Sequence, residues 1–487
     1  MSTIKTIEEL EPKEFYKYFK EISAIPRGSR NTKGISDYCV SFAKAHNLEY
    51  MQDASNNVII IKEASAGYEN VPAVIIQGHL DMVCEKELDY EIDFEKEGLT
   101  LELHDNFLSA KGTTLGADDG VAVAYSLALL ADEKLAHPRL EIVLTTDEEI
   151  GLLGASAIDL SSLKGKYLIN IDSDVEGMFL TSCAGGMTSE CELPVEYHEE
   201  TMTKYTVKVT GLQGGHSGAE IDKYRGNSNK LMGRFLYYLG NVLHYGVISL
   251  NGGSKDNAIP RETVAELFIE EKDCTLLEET VAEFDKILKN EFATNDPGAA
   301  MAAKKDGVAT ADMLTPKSKE FVQFMLMNLP NGVQNMSSDI KGLVQTSLNM
   351  GILTLDKEKC KMTFSVRSSV NSEKQALSSQ LQYITEFLGG EYSVNGEYPA
   401  WPYKKDSKLR DYMAGKYEEQ FGVKPQIEAI HAGLECGLFC EKIEGLDAIS
   451  LGPEVFDIHT PKERMNVQSV ERYWTFLRKV VTEFGQM

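Results

Sequence analysis

The sequence predicts an α/β protein whose mixed, largely parallel sheet is interrupted by an inserted α+β domain. Runs rich in valine and isoleucine alternate with amphipathic helical patterns over residues 1–185, and the same style returns over residues 393–487. Residues 186–392 combine strand patterns of the antiparallel type with long helical patterns. The chain of 487 residues also exceeds what one hydrophobic core usually supports, so more than one domain is expected.

The elements of the α/β domain follow from their hydrophobic spacing. Apolar residues recur at helical intervals in EPKEFYKYFKEISAI and TKGISDYCVSFAKAHN, whereas NVIIIK, PAVIIQG, LEIVLTT and YLINID are short runs of strand formers. Near the C-terminus the helical SKLRDYMAGKYEEQF, the strand DAISLG and the amphipathic NVQSVERYWTFLRKVVTEFG continue this alternation. Strands separated by helices are typical of a parallel sheet, so we expect the two parts to form one discontinuous domain.

The inserted segment has a different pattern. KYTVKVTGLQGGHSG and KMTFSVRSSV alternate polar and apolar residues, as in an antiparallel sheet with one solvated face. A helical pattern follows each of them. We therefore predict a two-lobed enzyme with a cleft.

Composition argues against several classes of partner. The 49 lysines and arginines are outnumbered by 75 aspartates and glutamates, and the net charge of −26 disfavours binding to nucleic acids and to anionic membranes. No run of eighteen or more apolar residues occurs, and MSTIKTIEEL lacks the layout of a signal peptide, so we expect a cytoplasmic protein. The eight cysteines form no CxxC motif and are expected to be core thiols, although the spacing of Cys436 and Cys440 would also suit a metal ion.

Candidate catalytic residues follow the predicted strand PAVIIQG. His79 and Asp81 are two positions apart in AVIIQGHLDMVC, so on a strand they project from the same face. Open α/β sheets bind their ligands at the carboxyl ends of strands, which is where this pair lies. An ordinary surface histidine and aspartate would show the same spacing, so the pair alone does not identify a site.

Two adjacent acids open the helical pattern in TTLGADDGVAVAYSLALL. Asp118 and Asp119 are flanked by Gly116 and Gly120, which allow the backbone to bend. A helix N-terminus favours anions, and one of the two acids could be a simple N-cap. Two in succession beside glycines exceed what a cap needs.

A third acidic motif, LTTDEEIG, ends another predicted strand. On a regular strand Glu148 and Glu149 would point to opposite faces, so one site can use both only if the chain leaves strand geometry there. Gly151 and Gly154 just downstream suggest that it does. Asp147 is predicted to be a solvated turn residue.

The ends of several predicted strands together carry a mixed set of nitrogen and oxygen ligands: His79, Asp118, Glu148 or Glu149, Asp172 in YLINIDSDVEG, and His459 in SLGPEVFDIHTPKER. Such a set, almost without sulfur, suits zinc, and also manganese or cobalt. It exceeds the usual three protein ligands of one catalytic zinc but suffices for two ions if one carboxylate bridges them. The residues therefore predict a two-metal hydrolase.

Eight motifs in one order make the sequence recognisable. They resemble the M20 family of di-zinc metallopeptidases, and most closely its aminoacylhistidine dipeptidase (carnosinase-like) branch, over nearly the whole chain: GHLDMV, GADDG, TTDEEIG, NIDSD, GGHSG, DNAIPRE, HAGLECG and HTPKE. The resemblance implies a di-zinc peptidase catalytic domain formed by residues 1–185 and 393–487, with a lid domain formed by residues 186–392.

The resemblance also implies two divalent metal ions and their ligands. His79, Asp118 and Asp172 would hold one ion, Glu149 and His459 would hold the other, and Asp118 would bridge the two. Zinc is the expected metal, and cobalt and manganese are the alternatives.

Two more residues match catalytic positions of the family. Glu148 matches the general base that takes a proton from the metal-bridged water and later returns it to the leaving amine. Asp81 matches the acid that orients His79, in agreement with the rule that a ligating imidazole usually donates its other N–H to a carboxylate.

The inserted domain would supply three of the four substrate-binding residues, and the fourth, Gly433, follows it in the chain. His216 in GGHSG matches a histidine that steadies the developing oxyanion, and Asn257 and Arg367 match positions that bind substrate. Gly433 in HAGLECG fits a close backbone approach to the ligand. The lid segment is about twice as long as the lid of simpler family members, and in this respect it resembles the dipeptidase branch. Whether the protein forms a homodimer is left open.

The implied function is metal-dependent hydrolysis of dipeptides, with Xaa-His dipeptides such as carnosine as the expected substrates. The alternatives within the family are a broad dipeptidase, a tripeptidase, a carboxypeptidase or an amide deacylase. A rival of another class is a non-catalytic binding protein on the same scaffold. The expected partner is a small peptide, not a nucleic acid or a membrane.

Overall fold

The computed structural model describes residues 6–487. Its contacts divide the chain into two compact units. The first unit contains the chain up to Cys183 together with Tyr403–Ala429 and Leu434–Met487, and the second contains Ala184–Pro402 and Ile430–Gly433. The predicted domain boundaries at residues 185 and 392 stay a prediction.

The helices and strands are numbered along the chain. The helices are α1 (Lys13–Ser23), α2 (Lys33–Ala45), α3 (Ala117–Ala131), α4 (Leu153–Ala157), α5 (Ser228–Gly240), α6 (Cys274–Glu291), α7 (Pro316–Asn328), α8 (Asn371–Phe387), α9 (Lys408–Phe421), α10 (Cys436–Lys442) and α11 (Val467–Thr482). The strands are β1 (Glu49–Gln52), β2 (Val58–Lys62), β3 (Val74–His79), β4 (Leu101–His104), β5 (Phe107–Ala110), β6 (Leu140–Thr145), β7 (Tyr167–Asn170), β8 (Met178–Cys183), β9 (Gly185–Pro194), β10 (Tyr197–Thr210), β11 (Gly215–His216), β12 (Tyr245–Gly252), β13 (Ala258–Ile259), β14 (Thr263–Ile269), β15 (Ala300–Leu314), β16 (Gly332–Met336), β17 (Val344–Leu355), β18 (Lys359–Ser368), β19 (Glu391–Tyr398), β20 (Gln426–Ile430), β21 (Asp447–Ser450), β22 (Val455–Phe456) and β23 (Arg464–Asn466).

The first unit is built on an eight-stranded sheet. Its order is β1-β2-β6-β3-β7-β21-β8-β20. The central strands β6, β3, β7 and β21 are parallel, whereas β1, β2 and β8 join their neighbours by antiparallel pairs. The predicted α/β class with a mixed sheet is confirmed, and parallel pairing is confined to the sheet centre.

The central parallel strands of the sheet have no solvated face. β3 (VIIQGH) and β6 (LEIVLT) are buried along their whole length, including their polar residues, as is typical of central parallel strands. α3 is likewise buried almost all round. Its Tyr125 stacks on Trp474 of α11 with ring centroids 6.0 Å apart and contacts Phe15 of α1 at 4.5 Å.

The second unit contains a nine-stranded sheet. Its main path is β15-β10-β14-β12-β17-β18-β9-β19, and β16 pairs with β17 off this path. All of its paired strands are antiparallel, as predicted for the inserted α+β segment. β10 alternates buried and exposed residues, whereas β18 is buried on both faces over most of its length.

Across residues 6–487, no helix combines the length and the apolar character that a membrane-spanning helix requires.

Candidate functional site

The loops that follow three parallel strands meet at one edge of the first unit's sheet. β3 ends at His79, β6 ends just before the acidic triplet, and β7 ends just before Asp172. Because parallel neighbours place their carboxyl ends at the same edge, the three loops lie side by side. The loop between β22 and β23 adds His459 to this edge.

Asp118 lies between two imidazoles. Its Oδ1 is 3.0 Å from His79 Nε2, and its Oδ2 is 3.0 Å from His459 Nε2. Asp172 Oδ1 is 3.6 Å from the same nitrogen of His79, and Glu149 Oε1 is 3.0 Å from the same nitrogen of His459. The structure therefore brings the five predicted ligands together in two sets that share Asp118.

Candidate ligand atoms within 4.8 Å of one another define three groups that could hold a metal ion: His79, Asp118 and Asp172; Asp118, Glu149 and His459; His79, Glu148 and Glu149. Within the part of the chain that the structure describes, Cys436 and Cys440 belong to none of these groups. Cys436 is buried and Cys440 is partly buried, and burial raises the pKa of Cys440 to about 12.

Burial and close contacts shift the pKa values of the cluster. Burial opposes the charged form of His79, but its contacts with Asp118 and Asp172 raise its pKa well above the ordinary value. Close contacts with Asp118 and Glu149 raise the pKa of His459 to about 11, and burial raises the pKa of Asp172 to about 6. The raised pKa values of His79 and His459 show that the neighbouring carboxylates favour positive charge at these positions.

The acidic motif forms a turn and not a strand. β6 ends at Thr145, and the backbone N–H groups of Glu148 and Glu149 donate hydrogen bonds to the carboxylate of Asp81 at 3.1 and 3.4 Å. The chain therefore leaves strand geometry at the predicted place. Burial raises the pKa of Glu148 well above the ordinary glutamate value.

Asp147 has a structural task in this turn. Its φ of 54° lies in the left-handed region, and its Oδ1 accepts a hydrogen bond of 2.5 Å from the backbone N–H of Arg30. The side chain is half-buried. Asp147 is a partly exposed turn residue, and its carboxylate also joins the acidic turn to the loop after α1.

Asp81 contacts His79 from the side opposite to Asp118. Its Oδ1 lies 3.5 Å from His79 Nδ1, and its Oδ2 accepts a hydrogen bond from Ser29 Oγ at 2.8 Å. Both Asp81 and His79 are almost completely buried. With a carboxylate beside Nδ1, Nε2 is the imidazole nitrogen that faces the candidate ligands.

The first turn of α3 assigns different tasks to the two adjacent acids. Asp118 and Asp119 both have non-helical backbone angles at the start of the helix. Asp119 Oδ1 accepts a hydrogen bond from the backbone N–H of Ala122 at 3.2 Å, and its Oδ2 accepts one from the backbone N–H of His79 at 3.1 Å. Asp119 is thus the cap, and Asp118 faces the imidazoles.

The predicted substrate-binding residues lie in the second unit, where a row of residues crosses four strands. Ser347 pairs with Arg367, Arg367 pairs with Gly186, and Gly186 pairs with Tyr398. Arg367 Nη1 donates a hydrogen bond of 2.9 Å to Tyr398 Oη. Gly186 permits this contact because a Cβ atom there would lie only 2.5 Å from Tyr398 Oη. Arg367 is thus a buried, oriented guanidinium and not a surface charge.

His216 is a close neighbour of Arg367. Its Nδ1 accepts hydrogen bonds from the backbone N–H groups of Gly218 and Ala219 at 3.2 and 3.0 Å, which leaves Nε2 as the N–H donor. A Cβ atom at Gly218 would lie 3.0 Å from His216 Cε1 and 3.2 Å from Arg367 Nε. Burial, and then the charge of Arg367, lower the pKa of His216 and favour the neutral imidazole.

The other two predicted residues have different surroundings. Asn257 is exposed, and its backbone carbonyl accepts a hydrogen bond from the N–H of Ser217 at 2.9 Å. A Cβ atom at Gly433 would lie 2.8 Å from Tyr398 Cε2, so the glycine is required for contact with the tyrosine ring.

Sequence reasoning missed several buried polar groups. Glu435 in HAGLECG is fully buried and accepts a hydrogen bond from Thr145 Oγ1 at 2.8 Å, and burial raises its pKa to about 7. His431 Nε2 lies 2.7 Å from Ser347 Oγ. Glu463 in HTPKE lies against the first turn of α3. The motifs contain these residues, but no spacing rule separates them from their neighbours.

Comparison with known proteins agrees with this arrangement. Residues 75–483 match the profile of Peptidase family M20/M25/M40. The cytosol non-specific dipeptidase of Escherichia coli (strain K12) is 36% identical over 480 residues, which cover 98% of this chain and 99% of the relative. Several solved structures are also similar to this chain.

The crystal structure of aminoacylhistidine dipeptidase from Vibrio alginolyticus matches with a TM-score of 0.90 and 33% identity, over 98% of each chain. Aminopeptidase PepT from Bacillus cereus ATCC 10987 shares the fold, with a TM-score of 0.56 and 14% identity. These matches confirm the resemblance on which the site residues were predicted. The chain is a peptidase and belongs to family M20/M25/M40.

Proposed function

We propose that the protein is a metal-dependent dipeptidase and that Xaa-His dipeptides are its preferred substrates. The observation that carries the proposal is the position of Asp118, whose two oxygens each face a different imidazole within a different ligand set. One carboxylate shared by two sets is what a two-metal hydrolytic site requires. The resemblance to the Vibrio enzyme supports the histidine preference.

The residues fit two divalent cations. The donors are two imidazole nitrogens and carboxylate oxygens, a combination that suits zinc and also manganese or cobalt. Glu149 Oε1 is buried without a hydrogen-bond donor, and His459 Nε2 lies 3.0 Å from both Glu149 Oε1 and Asp118 Oδ2. A single imidazole proton cannot satisfy both carboxylates, whereas a cation can. His79, Asp118 and Asp172 would hold one ion, and Asp118, Glu149 and His459 the other.

When bound, two such ions polarise a substrate carbonyl and lower the pKa of an attacking water. The residues around the ions transfer protons and orient the ligands. Glu148 takes the proton of the water and returns it to the leaving amine, and the raised pKa that burial gives its carboxyl group suits this exchange. Asp81 holds His79 in the orientation that presents Nε2.

The second unit supports recognition of a terminal carboxylate. A guanidinium binds a carboxylate through two parallel hydrogen bonds, and Tyr398 fixes one nitrogen of Arg367 in advance. His216, neutral with an N–H at Nε2, is suited to donate a hydrogen bond to the developing oxyanion. Asn257 and Gly433 are proposed to complete substrate binding.

The substrate preference is tested by kinetics of the zinc-loaded protein. We expect kcat/KM for Gly-His and carnosine to exceed that for Gly-Leu, and we expect the tripeptide Gly-Gly-His and N-acetyl-histidine to be poor substrates. Equal values for Gly-His and Gly-Leu would favour a broad dipeptidase, the alternative supported by the name of the Escherichia coli relative. Activity confined to N-acetyl-histidine would overturn the dipeptidase proposal.

Metal analysis tests the class of protein. After reconstitution with Zn²⁺ and desalting, we expect two ions for each chain. A protein without bound ions and without hydrolytic activity would be a non-catalytic binding protein on the same scaffold. A cytosolic location, which the name of the Escherichia coli relative supports, and a homodimer remain proposals that cell fractionation and sedimentation can check.

A further inference from the structure

Two buried ionic side chains lie close to the metal ligands of the first unit without belonging to either ligand set. Glu463 and Arg27 are each 2% exposed. Burying a carboxylate or a guanidinium carries a large desolvation penalty unless hydrogen bonds offset it. The partners of these two groups therefore indicate what they hold in place.

Glu463 binds the backbone that leads to Asp118. Its two carboxylate oxygens accept hydrogen bonds from four consecutive backbone N–H groups, two for each oxygen: Leu115 at 2.8 Å, Gly116 at 2.9 Å, Ala117 at 2.8 Å and Asp118 at 3.3 Å. These are N–H groups that a helix start cannot satisfy by itself. The last of them belongs to the shared ligand itself.

Arg27 binds carbonyl groups of the same turn and of the loop after β3. Its Nη1 donates hydrogen bonds of 3.0 Å to the carbonyls of Leu80 and of Asp81, and its Nη2 donates one to the carbonyl of Gly116. Leu80 and Asp81 directly follow His79. One guanidinium thus joins the backbone beside His79 to the backbone beside Asp118.

The glycines of the GADDG motif make room for this arrangement. Gly116 has a φ of 65°, and a Cβ atom there would lie 2.6 Å from Arg27 Nη2. A Cβ atom at Gly120 would lie 2.7 Å from the same nitrogen. The motif therefore provides both the left-handed turn and the space for the guanidinium.

We propose that Arg27 and Glu463 are positioning residues that fix the distance between the His79 and Asp118 side chains, and that they thereby determine the affinity of the site for divalent cations. Arg27 holds the two loops together through their carbonyls, and Glu463 holds the turn of Asp118 through its N–H groups. Neither side chain belongs to either proposed ligand set. The inference rests on the proposed function, because that proposal assigns the ligands.

The test compares two glutamate-to-glutamine substitutions. Glutamine keeps one acceptor oxygen but replaces the other with an –NH₂ group, which cannot accept a hydrogen bond from a backbone N–H. In Glu463→Gln the turn therefore loses about half of its hydrogen bonds. Glu141→Gln is the matched control. Glu141 is fully buried in the same unit, accepts hydrogen bonds from Arg139 Nε at 2.8 Å and from the backbone N–H groups of Lys164 and Gly165, and contacts neither ligand loop.

Three measurements separate positioning from general stability: the thermal midpoint, the Co²⁺ dissociation constant from competition with a chromophoric chelator, and the visible absorption spectrum of bound Co²⁺. For Glu463→Gln we expect a loss of Co²⁺ affinity of about 10- to 100-fold, as for other residues that orient metal ligands, and altered absorption bands. For Glu141→Gln we expect a lowered thermal midpoint with unchanged affinity and spectrum. Equal losses of affinity in the two variants, or none in Glu463→Gln, would overturn the inference.

Arg27→Lys provides a second route if Glu463→Gln does not fold. Lysine keeps the charge but cannot reach three carbonyl groups in the fixed geometry of a guanidinium. We expect weaker Co²⁺ binding and an altered spectrum here too, and wild-type affinity in a folded Arg27→Lys would overturn the inference. The wild-type titration is the reference. If the wild-type protein itself binds no Co²⁺, the ligand assignment of the proposed function fails as well, whereas tight wild-type binding with unaffected variants defeats the positioning role alone.

Discussion

The carboxylate of Asp81 accepts a hydrogen bond from the backbone N–H of Glu148 at 3.1 Å, although the two residues are 67 positions apart in the chain. The same oxygen, Oδ1, lies 3.5 Å from His79 Nδ1. His79 Nδ1 also lies 3.2 Å from the backbone carbonyl of Asp81. Asp81 thus contacts the candidate metal ligand through both its main chain and its side chain, and its carboxylate positions the candidate general base. Its role is wider than the orientation of His79 that the sequence predicted.

The first prediction concerns Asp81→Asn. Asparagine has nearly the same size, but its amide bears no charge and must present one N–H group where the carboxylate accepts hydrogen bonds. We expect metal affinity and kcat/KM to fall by about 10- to 100-fold, the usual effect of losing a carboxylate behind a ligating histidine. Ser29→Ala, which removes only the 2.8 Å hydrogen bond from Ser29 Oγ, is the control with a smaller effect. Equal effects of the two substitutions would contradict this role for Asp81.

The second prediction separates the neighbouring acids Glu148 and Glu149. Glu148→Gln removes a proton acceptor and no ligand of the two proposed sets, so we expect kcat to fall by about 10²- to 10⁴-fold while bound zinc stays near the wild-type amount. Glu149→Gln removes a ligand, so we expect it to lose zinc as well. Zinc content and kcat are measured on the same preparations. Equal loss of zinc in both variants would reverse or remove these assignments.

Strand ends were the most predictable part of the site. β3, β6 and β7 are almost wholly buried parallel strands, and their runs of strand formers are visible in a sequence. The polar residues that follow them meet at one edge because the strands are parallel. A period of two also predicted that Glu148 and Glu149 could not both face one site from a strand, and the chain indeed turns there.

The supporting contacts were not predictable in this way. Glu463 meets the N–H of Leu115 across 348 positions of sequence, and Arg27 meets the carbonyl of Leu80 across 53. Tyr398 reaches Arg367 only because Gly186 lies between them in the sheet register. Such partners depend on tertiary pairing, and a local pattern contains no information about it. The contact between Asp147 and Arg30 was unpredictable for the same reason, because Arg30 comes from a distant loop.

The third prediction tests the guanidinium of the second unit. Arg367→Ala removes a charge-assisted pair of hydrogen bonds, so we expect KM for dipeptides with a free carboxylate to rise by about 10- to 100-fold, with a smaller change in kcat. Dipeptide amides, which lack that carboxylate, should show little change. Tyr398→Phe keeps the guanidinium but removes the hydroxyl that orients Nη1, so we expect a smaller rise in KM. An unchanged KM in Arg367→Ala would exclude Arg367 from substrate binding.

The fourth prediction concerns the stability of the second unit in acid. Burial, and then the charge of Arg367, lower the pKa of His431 to about 3, whereas an unfolded histidine has a pKa of about 6.5. Between these values the unfolded chain binds a proton that the folded chain does not, so the free energy of unfolding falls as the pH drops from 6.5 towards 3. From pH 7 to pH 5 His431 alone accounts for a loss of about 2 kcal/mol.

His431→Gln removes this titration and keeps a side chain that can reach Ser347, so the stability advantage of wild type over the variant should shrink by the same amount between pH 7 and pH 5. The free energy of unfolding is measured by urea unfolding, followed by the fluorescence of Trp401, which is buried in the second unit. Every protein compared also carries Trp474→Phe, so that Trp401 is the one tryptophan of the chain. His244→Gln, at an exposed position of the same unit, is the control. A difference between wild type and His431→Gln that stays constant with pH would mean that the pKa of His431 is the same in the folded and the unfolded protein.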